Sequence, residues 1–395
     1  MNHNKNIKSL VEILLVSTKL GLTSFGGPIA HLGYFYEEYV KRKKWIDEKS
    51  YADLVALCQF LPGPASSQVG IGIGVIRGGF LGGILAFIGF TAPSMLVLIF
   101  FALILQGLEI NDAGWIHGLK IVAVAVVSQA IFGMAPKLTP DIQRKAIALV
   151  ALASTLLWQT SVMQVGIIVF AAVAGFVIYK QHQEDDEPAN IHFPLSHRFA
   201  VICLALFFGL LIVLPILRTI TSANWIVVFD SFYRSGSLVF GGGHVVLPLL
   251  EKEFVPAHWL TKEEFLAGYG AAQAVPGPLF TFAAYIGAVI NGWRGGIFAT
   301  VAIFLPAFLL IFGTLPFWNS LRRNPKIKGA LMGVNAAVVG ILIAALYNPI
   351  WTSSIQSSKD FAFAAVLFSM LVYWKLPPWV IVITGAVGGS LLELF

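Results

Sequence analysis

The chain repeats itself. Phe25-Gly26-Gly27 returns as Phe240-Gly241-Gly242, Trp45 as Trp259, and Gln59-x-x-Pro62-Gly63-Pro64 as Gln273-x-x-Pro276-Gly277-Pro278. Ile73-Gly74 returns as Ile286-Gly287, Gly79-x-x-Gly82-Gly83-Ile84 as Gly292-x-x-Gly295-Gly296-Ile297, and Pro93 as Pro306. The offset drifts only from 215 to 213 along this series. Residues this rare, held in register over that distance, mark two copies of one structural unit. Whatever one half folds into, the other must fold into as well.

Composition identifies the solvent. The 395 residues are 57% hydrophobic and 12% charged, against about 25% charged in soluble domains. A helix crossing about 30 Å of hydrocarbon needs roughly 20 mainly apolar residues. Gly79–Leu108, Gly118–Ala135, Phe199–Leu217, Ile297–Phe317 and Gly329–Leu346 are among the stretches of this kind. The expected fold is an all-α polytopic membrane protein. Met1–Leu20 lacks a small-residue cleavage site and reads as a first membrane helix rather than a signal peptide. Cys58 and Cys203 lie in apolar stretches and suggest neither a disulfide framework nor a metal site. The net charge of +6 fits basic cytoplasmic loops rather than nucleic-acid binding.

Loop charges set the relative orientation of the copies. Lys41-Arg42-Lys43-Lys44 precedes the first Pro-Gly-Pro, whereas Glu251-Lys252-Glu253 and Lys262-Glu263-Glu264 precede the second. The next pair reverses the bias: Glu109 and Asp112 in half one, Arg322-Arg323, Lys326 and Lys328 in half two. Cytoplasmic loops are rich in Lys and Arg, so equivalent loops are expected on opposite sides. That is an inverted-topology repeat with broken or re-entrant helices, a common transporter architecture. The expected organisation is a first repeat over 1–180, a polar linker and one extra membrane helix over 181–222, and an inverted repeat over 223–395. The expected location is the plasma membrane, multi-pass, with the N-terminus cytoplasmic and the C-terminus extracytoplasmic.

Candidate chemistry gathers where helices must break. Non-helical backbone at membrane depth is tolerated only where it is buried or lines a cavity. Ser24-Phe25-Gly26-Gly27-Pro28 and Phe240-Gly241-Gly242-Gly243 are Gly-rich breaks, and the two Pro-Gly-Pro segments end one helix and start another. With Pro64 and Pro278 at first helical positions, Ser66, Ser67 and Thr281 enter first turns whose free N–H groups and positive dipole end suit an anion. The amides of Gln59 and Gln273 add donors. The plain alternative is a tight hairpin used for packing. Lys19 and Arg234 each lie six residues before a repeated Phe. Lys19 is about 15 Å along its helix at 1.5 Å per residue, near the midplane, where a cation costs about 3 kcal/mol and marks function. Two such cations could balance a dianion; the alternative is snorkelling to the headgroups. His31, Glu37, His244 and Glu251 are candidates for carrying a coupling proton, with His244 also beside the second break. No phosphate-binding loop, nucleophile–base pair or His/Cys cluster is visible, so neither an enzyme, a catalytic residue, a bound metal nor a cofactor is expected.

At Phe25-Gly26-Gly27-Pro28, Gln59–Pro64 and their counterparts at Phe240 and Gln273–Pro278, the chain resembles the chromate ion transporter family in its long, two-half form. The resemblance runs from about Ser9 to Phe395. It implies chromate efflux driven by the membrane potential or a proton gradient, with sulfate as a close mimic, and assigns function to the two breaks and the two Pro-Gly-Pro turns. Gly243 stands where half one has Pro28, which argues against a strictly symmetric site. The alternatives are uptake or exchange of sulfate or another oxyanion, and an anion channel. The expected partners are the oxyanion and the lipid bilayer, with no nucleic acid; a homodimer is left open.

Overall fold

The computed structural model describes residues 2–25, 27–106, 114–158, 161–179, 195–221, 223–240, 245–318 and 325–392. Among these residues there is no β-strand. The first helices are α1 (Asn2–Thr23), α2 (Gly27–Phe35), α3 (Glu48–Phe60), α4 (Ala65–Gln106), α5 (Gly114–Leu138), α6 (Ile142–Leu157) and α7 (Ser161–Ile178). Then come α8 (His197–Ile220), α9 (Asn224–Leu238), α10 (Val246–Phe254), α11 (Lys262–Ala274) and α12 (Phe282–Thr314). The last three are Pro325–Ala345 (α13), Ser358–Val372 (α14) and Pro378–Leu392 (α15). Among the described residues, five segments are long and apolar enough to cross a bilayer: Ala65–Gln106, Gly114–Leu138, His197–Ile220, Leu279–Phe317 and Lys328–Ser354. The protein is an all-α, multi-pass membrane protein.

The helices after α8 follow an order like that of those before it, with equal lengths in α2 and α10, 9 residues each. The short helices α3 and α11 have 13 residues each, and each leads through Pro-Gly-Pro into a long apolar helix. Both long helices are hairpins. In α4 the chain reverses at Gly78 (φ −139°, ψ 19°) and Gly79 (φ 64°, ψ −155°); in α12 it reverses at Asn291 (φ −149°, ψ 42°) and Gly292 (φ 57°, ψ −154°). Positive φ explains the repeated glycine at 79 and 292. The limbs then touch at small residues: a Cβ on Gly82 would run into the Gly74 carbonyl oxygen, and one on Gly295 into that of Gly287. The first limb of α4, 65–77, is about 20 Å long at 1.5 Å per residue, short of the ~30 Å hydrocarbon.

The second limbs of α4 and α12 run antiparallel. Phe87 packs against Phe304 and Phe308, while Ile99 meets Gly296. The halves are also interwoven. α5 packs on α14 and α15, and α13 packs on α6 and α7. Glycines permit these approaches: Gly118 lies on Gly385 and Gly389, Gly175 on Gly329 and Gly333. Close backbone contact of this kind holds helices together in lipid, where apolar burial drives little. Outside the spans, Asp141 caps α6 and accepts from Arg144 N–H at 2.9 Å and Tyr179 O–H at 2.7 Å. Burial pushes its carboxyl up, but these bonds and the Arg144 guanidinium outweigh it and hold the group at about 2.

Candidate functional site

The breaks and the Pro-Gly-Pro turns meet, and they meet crosswise. Gly277 N–H donates to the Ser24 carbonyl at 2.9 Å, and Gly63 N–H donates to the Val239 carbonyl at 2.7 Å. Each turn is thus tied to the break of the opposite half. Gly63 (φ 108°) and Gly277 (φ 106°) share one left-handed conformation, which a proline-flanked turn needs and an L-residue resists. The helix after the first turn starts at Ala65, so Pro64 is the residue before the helix rather than its first. Its carbonyl accepts from Gln68 N–H at 3.0 Å. In half two a short 3-10 turn, Leu279–Thr281, precedes α12, and the Thr281 hydroxyl donates back to Pro278 O at 2.7 Å. The two turns therefore share a backbone shape but lead into different helix starts.

Between the start of α4, the first break and the second turn, polar atoms are buried without a hydrogen-bond partner among the described residues. Ser24, His31, Ser66, Ser67, Gln68 and Thr91 are all at most 2% exposed. His31 Nδ1 lies 3.2 Å from Ser66 Oγ, and the Gln68 amide donates to the Pro62 carbonyl at 2.8 Å. Ser24 Oγ, His31 Nε2, Ser67 Oγ, Gln68 Oε1, Thr91 Oγ1 and Gln273 Nε2 have no hydrogen-bond partner among the described residues. Buried polar atoms are nearly always paired, and each unpaired one costs about 1–3 kcal/mol. So many between the start of α4 and the second turn need a reason, even with the Tyr269 hydroxyl close to the Gln273 amide. Helix α2 brings His31 onto the first turn of α4, the second limb of α4 places Ser94 beside Gly277, and His31 and Phe35 rest edge-on against Phe90.

The second half is not its polar equal. By the repeat offsets, Ser24, Ser66, Gln68, Thr91 and Ser94 correspond to Val239, Phe280, Phe282, Phe304 and Ala307. The second half keeps the turn's shape and has lost most of these polar side chains, while Ser94 and the Ser24 carbonyl of the first half lie at the second turn itself. Gly243 opposite Pro28 hinted at this asymmetry; the packed neighbours set its extent.

The basic pair is placed differently from expectation. Neither cation is free. Lys19 Nζ binds Glu38 Oε2 at 2.9 Å, with Arg42 at 3.5 Å from the same oxygen. Arg234 Nη2 binds Asp230 at 2.5 Å and Glu253 at 3.3 Å. Arg218, on the connecting helix α8, binds the same two carboxylates at 3.2 and 3.0 Å. Ser231 Oγ donates to Glu253 at 2.8 Å. Asp230 is 1% exposed. The result is a cluster of two buried acids and two half-buried arginines, formally neutral. The repeat-related pairs are Lys19 with Glu38 and Arg234 with Glu253, at one common offset of 215. Glu37, expected as the partner of Glu251, instead lies exposed beside Arg42 at 3.4 Å. Gln59 is exposed, apart from the buried donors. Phe240 packs on the hydrophobic core, and Phe25 and Gly27 flank the first break. Gly26, Gly241, Gly242, Gly243 and His244 lie outside the described residues. Sequence reading missed Gln68, Thr91, Ser94, Arg218, Asp230, Glu38 and Glu253. The constant offset could have singled out Glu38 and Glu253; nothing local marks Arg218.

The geometry can be set beside known proteins. The Chromate transporter family profile matches residues 11–176 and again 226–390. A probable chromate transport protein of Synechococcus elongatus is 29% identical over 97% of this chain and 95% of its own length. The chromate transport protein of Pseudomonas aeruginosa is 27% identical over 82% of this chain and 77% of its own. An uncharacterized transporter of Bacillus subtilis, 27% identical, aligns 96% of its length with only 42% of this chain. No solved structure matches. The family is one of transporters, not enzymes. A profile that fits both halves in turn, at the breaks and turns just described, leads to one assignment: the chain belongs to the chromate transporter family.

Proposed function

We propose that the protein exports chromate across the plasma membrane as a secondary transporter, and that the anion binds where the start of α4 faces the first break and the second Pro-Gly-Pro turn. The observation that carries this reading is the set of buried, unpaired donors around the α4 half-helix. A tetrahedral oxyanion offers several acceptors at once. The hydroxyls of Ser24, Ser67 and Thr91, the Gln273 amide and the His31 ring are groups that would hold it, aided by the positive end of the half-helix. A site made of neutral donors also accounts for cations already neutralised by their own carboxylates. Lys19 and Arg234 then act through the field they share with Glu38 and Glu253, or exchange one carboxylate for the substrate. The energy source is an ion gradient or the membrane potential. Sulfate, of like shape and charge, is the natural competitor.

The test is uptake of labelled chromate into everted vesicles. Accumulation against a gradient that collapses with an uncoupler is expected; equilibration without accumulation would point to a channel. Ser24→Ala and Ser67→Ala should each lower uptake about tenfold, since a hydrogen bond to a charged group is worth about 1.5–3 kcal/mol. The same variants should leave thermal stability unchanged or slightly raised, because each removes a buried hydroxyl that has no partner among the described residues. Wild-type uptake in both would remove the site.

The inverted arrangement, with repeats at 1–180 and 223–395 joined through 181–222, belongs to the same proposal. The antiparallel limbs of α4 and α12 and the opposed loop charges support it. Single cysteines placed at 41–44 and at 251–264 should be labelled from opposite sides, the first from the cytoplasm. Both natural cysteines, Cys58 and Cys203, are buried, so the background is low. Labelling of both loops from one side would end the inversion.

A further inference from the structure

A second polar cavity lies away from the crossed turns. It has a volume of about 250 Å³ and opens between the end of α6, helix α10, the start of α11 and the chain just beyond α13. Thr155 and Lys252 line it, one from each half. Thr155 is 6% exposed. Its hydroxyl and the Lys252 ammonium are both buried and both lack a hydrogen-bond partner among the described residues. Lys262, Glu251 and the Asn348 side chain complete the polar wall, and the rest is apolar.

An ammonium withdrawn from water without a hydrogen-bonded counter-charge costs several kcal/mol. Among the described residues Glu251 is the one carboxylate in the wall, and it faces two lysines. The wall they form therefore carries one net positive charge. A point charge, a hydroxyl and an amide converging on an enclosed space are what a small oxyanion requires. Apolar neighbours strengthen the attraction by lowering the local dielectric. At the offset that relates Glu253 to Glu38, Lys252 corresponds to Glu37. The first half has an acid there, so the lysine belongs to one half and one side of the molecule.

We propose that this cavity is a second binding site for a small oxyanion, with Lys252 and Thr155 as its principal ligands. It rests on the oxyanion reading of the protein for its ligand class, and on no residue of the crossed turns. Placed on one side only, it would hold an anion before entry to, or after release from, the central site.

Equilibrium binding of labelled sulfate to the full chain in phosphatidylcholine nanodiscs tests the proposal. Two sites per chain are expected. Lys252→Gln and Thr155→Val should each weaken one of them about tenfold or more, and Lys252→Arg should keep it. Ser24→Ala/Ser67→Ala should affect only the other, so failure of the central site and failure of this one are read separately. Nanodiscs containing phosphatidylglycerol should give the same titration; loss of the Lys252-dependent site there would assign the cavity to a lipid headgroup and overturn the proposal. Lys252→Gln that binds sulfate as the wild type does, with a raised melting temperature, would reduce Lys252 to an uncompensated structural charge and also overturn it.

Discussion

Arg234→Met is expected to cost about 3–5 kcal/mol of stability, the range for breaking a buried ion pair on one side. The change leaves Asp230 and Glu253, both buried, with one arginine fewer to balance them, Arg218 remaining. The penalty comes from the stranded carboxylates rather than from the lost attraction. Asp230→Asn in the same chain should therefore restore much of the loss. The repeat-related substitution, Lys19→Met, should behave otherwise. The Lys19 side chain is 53% exposed, and Glu38 keeps Arg42, so a change within about 1 kcal/mol is expected. Thermal unfolding of the four proteins in nanodiscs checks the set. Equal losses in Arg234→Met and Lys19→Met would mean the two cations are energetically equivalent and the cluster has no special weight. Full recovery of stability by Arg234→Met/Asp230→Asn without recovery of chromate uptake would separate a transport role for Arg234 from its structural one.

Gly277→Ala should reduce chromate uptake at least tenfold, and Gly63→Ala should do so less. The two residues sit at nearly the same positive φ, 106° and 108°, so each alanine carries a backbone strain of about 1–3 kcal/mol. Their surroundings differ. A Cβ on Gly277 would lie 2.8 Å from Ser94 Oγ and 3.4 Å from the Phe90 carbonyl oxygen, pushing the turn off Ser24. A Cβ on Gly63 meets the Gln68 amide at 3.2 Å and Ala307 Cβ at 3.7 Å. Ala307 stands where half one has Ser94, so the second substitution avoids the hydroxyl. Ser94→Ala should relieve part of the Gly277→Ala defect and none of the Gly63→Ala defect. Equal defects in the two alanine variants, unmoved by Ser94→Ala, would show that backbone strain alone decides the outcome. The crossed contact itself would then carry no information about the path.

The interwoven packing bears on how such a protein could move. α5 rests on helices of the second half and α13 on helices of the first, so a rigid separation of residues 1–180 from 223–395 would tear both interfaces. The hairpins of α4 and α12, hinged at Gly79 and Gly292, reach the centre without crossing it twice.

The sequence alone determined the solvent, the doubling of the unit, and the places where helices had to stop. These are local properties: apolar runs of bilayer length, a proline without an N–H, a glycine where φ turns positive. Reading the charges on either side of each copy was equally local. Only the tertiary structure decided which break each turn would touch, because the Gly63–Val239 and Gly277–Ser24 bonds join segments from opposite halves and leave no periodic trace. It also decided that Glu38 and Glu253 pair with Lys19 and Arg234. It decided that Ser24 and Ser94 of the first half come to the second turn, while Val239 and Ala307 of the second half come to the first. Hydrogen bonds and ion pairs depend on distances of a few ångströms between parts of the chain that are far apart in sequence. Patterning fixes where each segment lies in the membrane and cannot fix what it meets there.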